Sequence, residues 1–266
     1  QLIGSQQPGL ILAITHRGET VAEHAFGVAN LDTGEQLTPR HRFRIASHSK
    51  SFTAAGLMKL REQKKLRLDD QVGQHVAGLH PRLAETTITQ LLSHSAGLIR
   101  DGADSGQFID TRPYLSRAEL LAELKLPTAI EPGTRFKYSN HGFGLLGLVI
   151  EAVTKEPYPV WIKREIVEPA GLSETEPTPP LARGTPFARG HTRRQPAGRH
   201  VIPGDNEAHA MASAAGFAAT AADTARFFAQ HAPNAKKSVL SVASRREMTR
   251  HHSRIPQGFE GYYGLG

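Results

Sequence analysis

The sequence has no cysteine. Disulfides, thiolate metal sites and cysteine nucleophiles are excluded at once. The absence fits a reducing compartment and does not exclude an exported protein, so localisation stays open. Long apolar runs are also missing. Leu10–Ile14 is far short of the roughly 20 residues a membrane helix needs, so no integral membrane segment is expected in this chain. The motif Gly-x-Ser-x-Gly does not occur, since "SHSAG" around Ser95 lacks its first glycine. His-Glu-x-x-His is absent as well. The 14 histidines are dispersed, and the pair His251-His252 has no obvious carboxylate partner. No metal and no cofactor are expected.

Positive charge is in excess, at a formal +7. It is scattered, with short pairs such as Arg193-Arg194 and Arg245-Arg246. Aromatic residues do not interleave with it as a stacking platform for nucleic acid requires. The excess is read as solvated charge that aids solubility and mildly attracts anionic small molecules, and no nucleic-acid partner is expected.

A chain of 266 residues is one large domain or two modest ones, and can bury roughly three quarters of its unfolded surface. "GLILAITHRGETVAEHAFGVAN" reads as two antiparallel strands, Leu10–Thr15 and Thr20–Val28, joined at Arg17-Gly18-Glu19. A helix is expected over Ser47–Gln63. "TTITQLLSHSAGL" reads as a short helix with capping-box spacing at Thr87 and Gln90, stopped at Gly97. Ser116–Lys125 is helical and ended by Pro127. Asn140–Thr154 has almost no polar face and is expected to be a buried helix. Helical character continues over Trp161–Val167. Glu176–Gly204, dense in Pro, Gly and Arg, reads as long loops with short strands at Phe187–His191 and Arg199–Ile202. "TAADTARFFAQ" is a helix capped by Thr220, with Asp223 at capping-box distance. There is no internal repeat. Strands first, then mostly helices and loops, indicate an α+β arrangement: an antiparallel sheet flanked by helices with an inserted, mostly helical lobe. The cleft between the lobes is the natural active site.

The chemistry concentrates in two short stretches. In "RIASHSKSFTAAGLMKL", Ser47 and Lys50 are three apart and share a helix face. A serine hydroxyl is a poor nucleophile until a base takes its proton. A lysine kept neutral by burial and neighbouring positive charge can be that base. The helix N-terminus disfavours an ammonium and offers free N–H groups to a developing oxyanion. Alone, the pair reads more readily as a capping serine and a solvated lysine. In "RFKYSNHGFGLLG", Tyr138 and Asn140 face one side of an extended segment. A phenol can carry protons between nucleophile and leaving group; an amide can orient the lysine and bind a substrate carbonyl. Alone, Tyr138 reads as a half-buried aromatic and Ser139 or Asn140 as a helix cap.

Together, Ser-x-x-Lys and a downstream Tyr-x-Asn resemble the penicillin-binding protein and β-lactamase serine hydrolases, specifically their class C β-lactamase-like branch. "FRIASHSKSFTAAGLMKL" is similar to that branch's nucleophile helix and "ITQLLSHSAGL" to its Leu-Leu-x-His-x-x-Gly-Leu signature. "FKYSNHGFGLLGLVIEAVT" resembles its Tyr-x-Asn segment. "EIVEPAGLSET" resembles Pro-Leu-Gly-Met-x-x-Thr, with Ala170 and Leu172 departing. "SAAGFAATAADTARFF" resembles Gly-Gly-Leu-x-Ser-Thr-Ala-x-Asp, with Ala215 departing. The motifs run in order from Gly9 to Gly266. The resemblance implies Ser47 as the acylated nucleophile, Lys50 as its proton acceptor and Tyr138 as a proton shuttle, chiefly in deacylation. It implies Asn140 as a contact to Lys50 and the substrate amide, and the Ser47 N–H as half of an oxyanion hole. His48 is given no catalytic role, and His94 is expected to hold the helix-to-loop geometry by a hydrogen bond.

"GYYGLG" resembles the stretch before the family's third motif, Lys-Thr-Gly or His-x-Gly, which has no counterpart up to Gly266. Losing one oxyanion donor costs roughly 10²–10³ in rate. Residues 1–266 are therefore expected to be a single β-lactamase-like domain incomplete at its C-terminus, with C-terminal strands missing from this chain. A sheet lobe would span about 1–60 and 205–266, and a helical and loop lobe about 61–204. The implied function is a serine hydrolase that forms an acyl-enzyme on a small-molecule amide, ester or peptide: an esterase, a D-amino-acid peptidase or a β-lactam hydrolase. The make-up of the branch favours esterase or peptidase. The alternative is a non-catalytic, penicillin-binding-like peptide-binding or scaffold protein. Oligomeric state is not legible.

Overall fold

The structure is a computed structural model that describes residues 7–102, 106–193, 196, 198–255 and 261–266. Strands β1 (Gly9–His16) and β2 (Glu19–Asn30) form an antiparallel hairpin. Its two-residue loop, Arg17-Gly18, has φ of 52° and 87°. Positive φ at both loop positions matches the right-handed twist of the strands. Side chains alternate across the pair, with Leu10 opposite Phe26 and Ile11 opposite Ala25. Ile11 and Ala25 pack on a small cluster with Ala29 and Leu37. Leu10, Leu12, Ile14 and Phe26 lie on the open face.

Strands β3 (Glu35–Gln36) and β4 (Phe43–Arg44) lead into a 3₁₀ turn at Ala46–His48, then helix α1 (Ser49–Glu62). The helix expected from Ser47 thus begins two residues later, and Ser47 sits in the tighter turn before it. Helices α2 (Pro81–Ala84), α3 (Ile88–Leu92) and α4 (Arg117–Glu123) follow. The Thr87–Gln90 capping box forms in full, and so does one at Ser116–Glu119. Helix α5 (Asn140–Thr154) has the expected boundaries and α6 (Tyr158–Ile162) runs into a π-helical turn at Lys163–Val167.

Beyond β5 (Thr175–Glu176), strands β6 (Gly190–His191) and β7 (Val201–Ile202) pair over two residues each, shorter than expected because the flanking segments follow irregular paths. A second π-helical turn, Ala212–Gly216, precedes β8 (Ala218–Ala219) and α7 (Ala221–Ala229). Thr220 caps α7 as expected. Asp223 does not return the bond. Its carboxylate instead accepts from the Glu174 N–H at 2.7 Å, the Thr175 hydroxyl at 3.0 Å and Arg226 at 2.6 Å, tying α7 to β5. Helix α8 (Val242–Thr249) and strands β9 (Ser253–Arg254) and β10 (Tyr262–Tyr263) end the described chain.

The expected sheet is realised as small antiparallel sheets, β1-β2-β3 and β4-β8-β5, with two-stranded ribbons β6-β7 and β9-β10. Strand β5 comes from the stretch assigned to the helical lobe, yet it joins β4 and β8 from either side of that stretch.

Helix α1 is the axis of the main core. Phe52, Leu57, Met58 and Leu60 are fully buried, and Phe52 stacks on Phe227 (3.7 Å between centroids) and Phe217 (4.5 Å). Gly56 lets α6 approach, since a Cβ there would lie 2.7 Å from Ile162 Cδ1. One continuous apolar cluster joins α1 to α3, α5, α6, α7 and α8. Fully burying a Leu- or Phe-sized side chain contributes about 1.5–3 kcal/mol, so the polar face of α1 is carried into the interior by strong apolar neighbours. Among the described residues no helix is long and apolar enough to cross a membrane.

Candidate active site

Ser47 is exposed and Lys50 is buried, one turn apart. Two features fix the serine turn. Ala46 has φ of +45°, a left-handed backbone that an alanine adopts only when its surroundings enforce it. Ser49, buried behind it, donates its hydroxyl to the Ala46 carbonyl (2.5 Å) and accepts the Phe217 N–H (3.1 Å). The Ile45 N–H donates to the Phe217 carbonyl at 2.9 Å. The nucleophile candidate is thereby clamped to the strand entering α7.

Lys50 Nζ lies 3.3 Å from Ser47 Oγ, 2.6 Å from Asn140 Oδ1 and 2.8 Å from the Ala214 carbonyl oxygen. The lysine expected to be either base or solvated cation is 1% exposed. Its pKa falls from 10.5 to about 7; burial is the main cause, Asp101 opposes it and Arg100 adds to it. Near neutrality a large share of the amine is therefore uncharged. A neutral amine has two N–H donors and one lone pair. The two close acceptors, Asn140 and Ala214, match the two donors, and the lone pair then faces Ser47 Oγ. The π-helical turn at Ala212–Gly216 aims the Ala214 carbonyl inward; such turns recur at functional sites.

Tyr138 reaches the same hydroxyl, its phenol donating to Ser47 Oγ at 2.6 Å. Burial pushes the phenol up from its ordinary value, although the Ser47 bond and Arg100 pull the other way. It stays protonated at neutral pH. His94 places this segment. The Lys137 N–H donates to the His94 carbonyl (2.7 Å), the Ser139 N–H to His94 Nδ1 (3.1 Å), and the imidazole lies 4.2 Å from the Tyr138 ring. Burial first, and Lys50 second, lower the His94 pKa to about 3, so the ring is neutral and accepts at Nδ1. This is the geometric role its position in the sequence suggested. Ser139 caps α5 by accepting the Gly142 N–H at 2.9 Å, which leaves Asn140 free to turn inward. His48 packs against Phe228 instead, edge to face at 5.5 Å.

The structure thus brings Ser47, Lys50, Tyr138 and Asn140 together at one point. It adds a residue that sequence reasoning missed, Asp101. Its carboxylate accepts from Asn140 Nδ2 and pairs with Arg100 Nε at 3.0 Å. One hydrogen of the Asn140 amide is therefore engaged by the protein, and only the other remains for a substrate carbonyl. Arg100 also lies 5.3 Å over the Tyr138 ring.

Two other expectations need correction. His252 does have a carboxylate neighbour, Glu247, at 3.4 Å; the two share the α8–β9 corner, invisible to local spacing. Arg245 is buried and is no solvated surface charge. Its guanidinium donates to the Gln230, Ala232 and Ala235 carbonyls beyond the end of α7. Arg194, in the other pair, lies outside the described residues. No cluster of three or more His, Asp or Glu able to hold a metal occurs among the described residues.

A fold of helices around small antiparallel sheets, with Ser-x-x-Lys at the mouth of a buried helix and Tyr-x-Asn facing it, defines a penicillin-binding and β-lactamase-like protein. The profile of the family described as "Beta-lactamase" matches residues 2–266, and the chain belongs to that family. Among curated relatives, protein flp of Staphylococcus aureus (strain MRSA252) is 29% identical over 175 residues, 63% of this chain and 34% of flp. Penicillin-binding protein 4* of Bacillus subtilis (strain 168) is 31% identical over 173 residues, 63% of this chain and 37% of that protein. The match thus spans about a third of the length of these relatives. Among solved structures, the octameric penicillin-binding protein homologue from Pyrococcus abyssi superposes with a TM-score of 0.85 at 26% identity, covering 99% of this chain and 61% of that one.

Proposed function

We propose that the protein is a serine hydrolase that works through a covalent acyl-enzyme on amide or ester substrates, with Ser47 as nucleophile, Lys50 as base, Tyr138 as proton carrier and Asn140 as orienting and substrate-binding amide. The observation that carries this reading is the hydrogen-bond inventory of Lys50. Its nitrogen has three oxygen neighbours, Asn140 Oδ1 at 2.6 Å, the Ala214 carbonyl at 2.8 Å and Ser47 Oγ at 3.3 Å; in the neutral amine the two nearer oxygens take the two N–H groups and leave the lone pair to Ser47.

In acylation the Ser47 proton passes to the Lys50 lone pair as Oγ bonds to the substrate carbonyl carbon. The carbonyl oxygen becomes an oxyanion. Its collapse breaks the bond to the leaving group, which takes a proton from the Tyr138 phenol. The Lys50 ammonium restores that proton, and charge is balanced. In deacylation a water molecule replaces the leaving group and the same two side chains run the transfers in reverse.

The first step is common to β-lactams, peptides and esters, and the residues around Ser47 do not select among them. Membership of the Beta-lactamase family supports the reaction class. Esterase or D-peptidase activity is the favoured member, as it is for most of the class C-like branch.

The test is covalent labelling of the chain with a fluorescent fluorophosphonate and a fluorescent penicillin. Labelling by either probe that disappears in Ser47→Ala is expected. A correctly folded protein carrying the third motif as well, labelled by neither probe, would instead be a non-catalytic binding protein.

A further inference from the structure

We propose that Asp101 is a positioning residue that locks the Asn140 amide with its oxygen toward Lys50 and so leaves the lysine lone pair for Ser47; this rests on the hydrolase reading above. An asparagine amide is nearly symmetric in shape, and turning it by half a revolution exchanges a donor for an acceptor. With Nδ2 toward Lys50, the amide would either oppose an N–H of the amine or donate to its lone pair. Both outcomes disable a base whose lone pair must meet the serine.

Only an acceptor on the far side of the amide prevents the turn. An ionised carboxylate accepts and cannot donate. Asp101 is that group. It is 12% exposed, bonds Asn140 Nδ2, and is itself fixed by Arg100 Nε at 3.0 Å. The Asn140 backbone N–H donates to the Arg100 carbonyl at 2.9 Å, so Asn140 is tied to Arg100 through the main chain and to Asp101 through its side chain. The relay runs Arg100, Asp101, Asn140, Lys50, Ser47. Charge acts in the same arrangement. Asp101 favours the lysine ammonium while Arg100 disfavours it. The other titratable groups facing Lys50 are His94, held neutral, and Tyr138, held protonated. The sole negative charge near the amine among these groups is that of Asp101.

Two variants separate the hydrogen bond from the charge. Asp101→Asn keeps an acceptor oxygen and removes the charge. Asp101→Leu removes both. The first readout is the Ser47-dependent fluorophosphonate labelling rate as a function of pH. The second is the titration of Lys50 followed by NMR of ¹³Cε-labelled lysine, assigned with Lys50→Arg, which needs no activity. In Asp101→Asn the labelling midpoint and the Lys50 titration should move together to lower pH, by roughly one pH unit. In Asp101→Leu the plateau should fall more than about tenfold, as expected for a lost orienting group. A Lys50 titration unmoved in Asp101→Asn overturns the proposal, and so does a parental plateau in Asp101→Leu. A folded protein that carries the third motif as well and shows no Ser47-dependent labelling overturns the hydrolase reading instead, while the NMR titration still decides whether Asp101 governs the amine. Should Asp101→Leu fail to fold, Asp101→Ala, which also removes acceptor and charge, takes its place with the same readouts and the same expected fall in the plateau.

Discussion

Among the described residues, one lysine and one arginine are buried, and their surroundings differ in kind. Lys50, on α1, is 1% exposed; Arg245, on α8, is 3% exposed. Lys50 reaches acceptors 90 and 164 residues away, and Arg245 acceptors 10 to 15 residues away. Arg245 donates to main-chain carbonyls of the segment that follows α7, at Gln230, Ala232 and Ala235. Lys50 has one side-chain amide, one carbonyl and an exposed hydroxyl. Burial alone therefore does not mark a catalytic cation. What separates the two is the neighbour: Lys50 has an exposed hydroxyl 3.3 Å from its nitrogen, whereas Arg245 has main-chain carbonyls.

Substitution should separate the two. Lys50→Met is expected to lower the fluorophosphonate labelling rate by about 10²–10⁴, the usual contribution of a general base, with a much smaller change in melting temperature. The lost bonds to Asn140 and Ala214 are offset by relief of a buried amine. Arg245→Met should do the opposite. Three carbonyls lose a donor inside the protein, so a loss of about 2–4 kcal/mol is expected in chemical denaturation, with labelling of the folded fraction at the parental rate. Were Arg245→Met to abolish labelling at temperatures where it is folded, the distinction would collapse.

The remaining effects are smaller and depend on pH. Labelling should rise as pH increases through about 7, because the proposed mechanism uses the neutral amine. Stability should follow in the same direction. The folded-state pKa lies below the unfolded value, so the unfolded chain binds the extra proton between about pH 7 and 10.5. The cost of burying Lys50 is full below that window and is relieved across it. Parent stability relative to Lys50→Met should then rise by at most about 1.4 kcal/mol for each pH unit. Urea denaturation of both proteins at pH 7 and pH 9 measures it, and a falling difference would contradict the folded-state value.

Much of this was legible in the sequence where the signal is local. The boundaries of α5 follow from a run of apolar residues opened by Ser139, and the Thr87–Gln90 capping box from spacing. Ser47, Lys50, Tyr138 and Asn140 were legible as two short motifs. The third partner of Lys50 was not, because the Ala214 carbonyl is a backbone group and carries no residue signature. Asp101 was hidden for a different reason. Its bond to Asn140 spans 39 residues through an irregular segment, and neither periodicity nor spacing reports such a contact. Ser49 carried no signal of its own beside Ser47. Its clamp on Ala46 exists only because Phe217 arrives beside it. Arg245 was misread because an Arg-Arg pair looks hydrated until α7 is folded over it.

The anchoring of Lys50 also bears on when the chemistry switches on. The amine meets Asn140 across 90 residues and Ala214 across 164. Until both contacts close, Lys50 is an ordinary hydrated ammonium and Ser47 an inert alcohol. A chain still emerging from the ribosome, or one collapsed into a wrong topology, is chemically silent. If Ser47 acylates as proposed, labelling by a probe would double as a certificate of correct assembly, issued by the molecule itself.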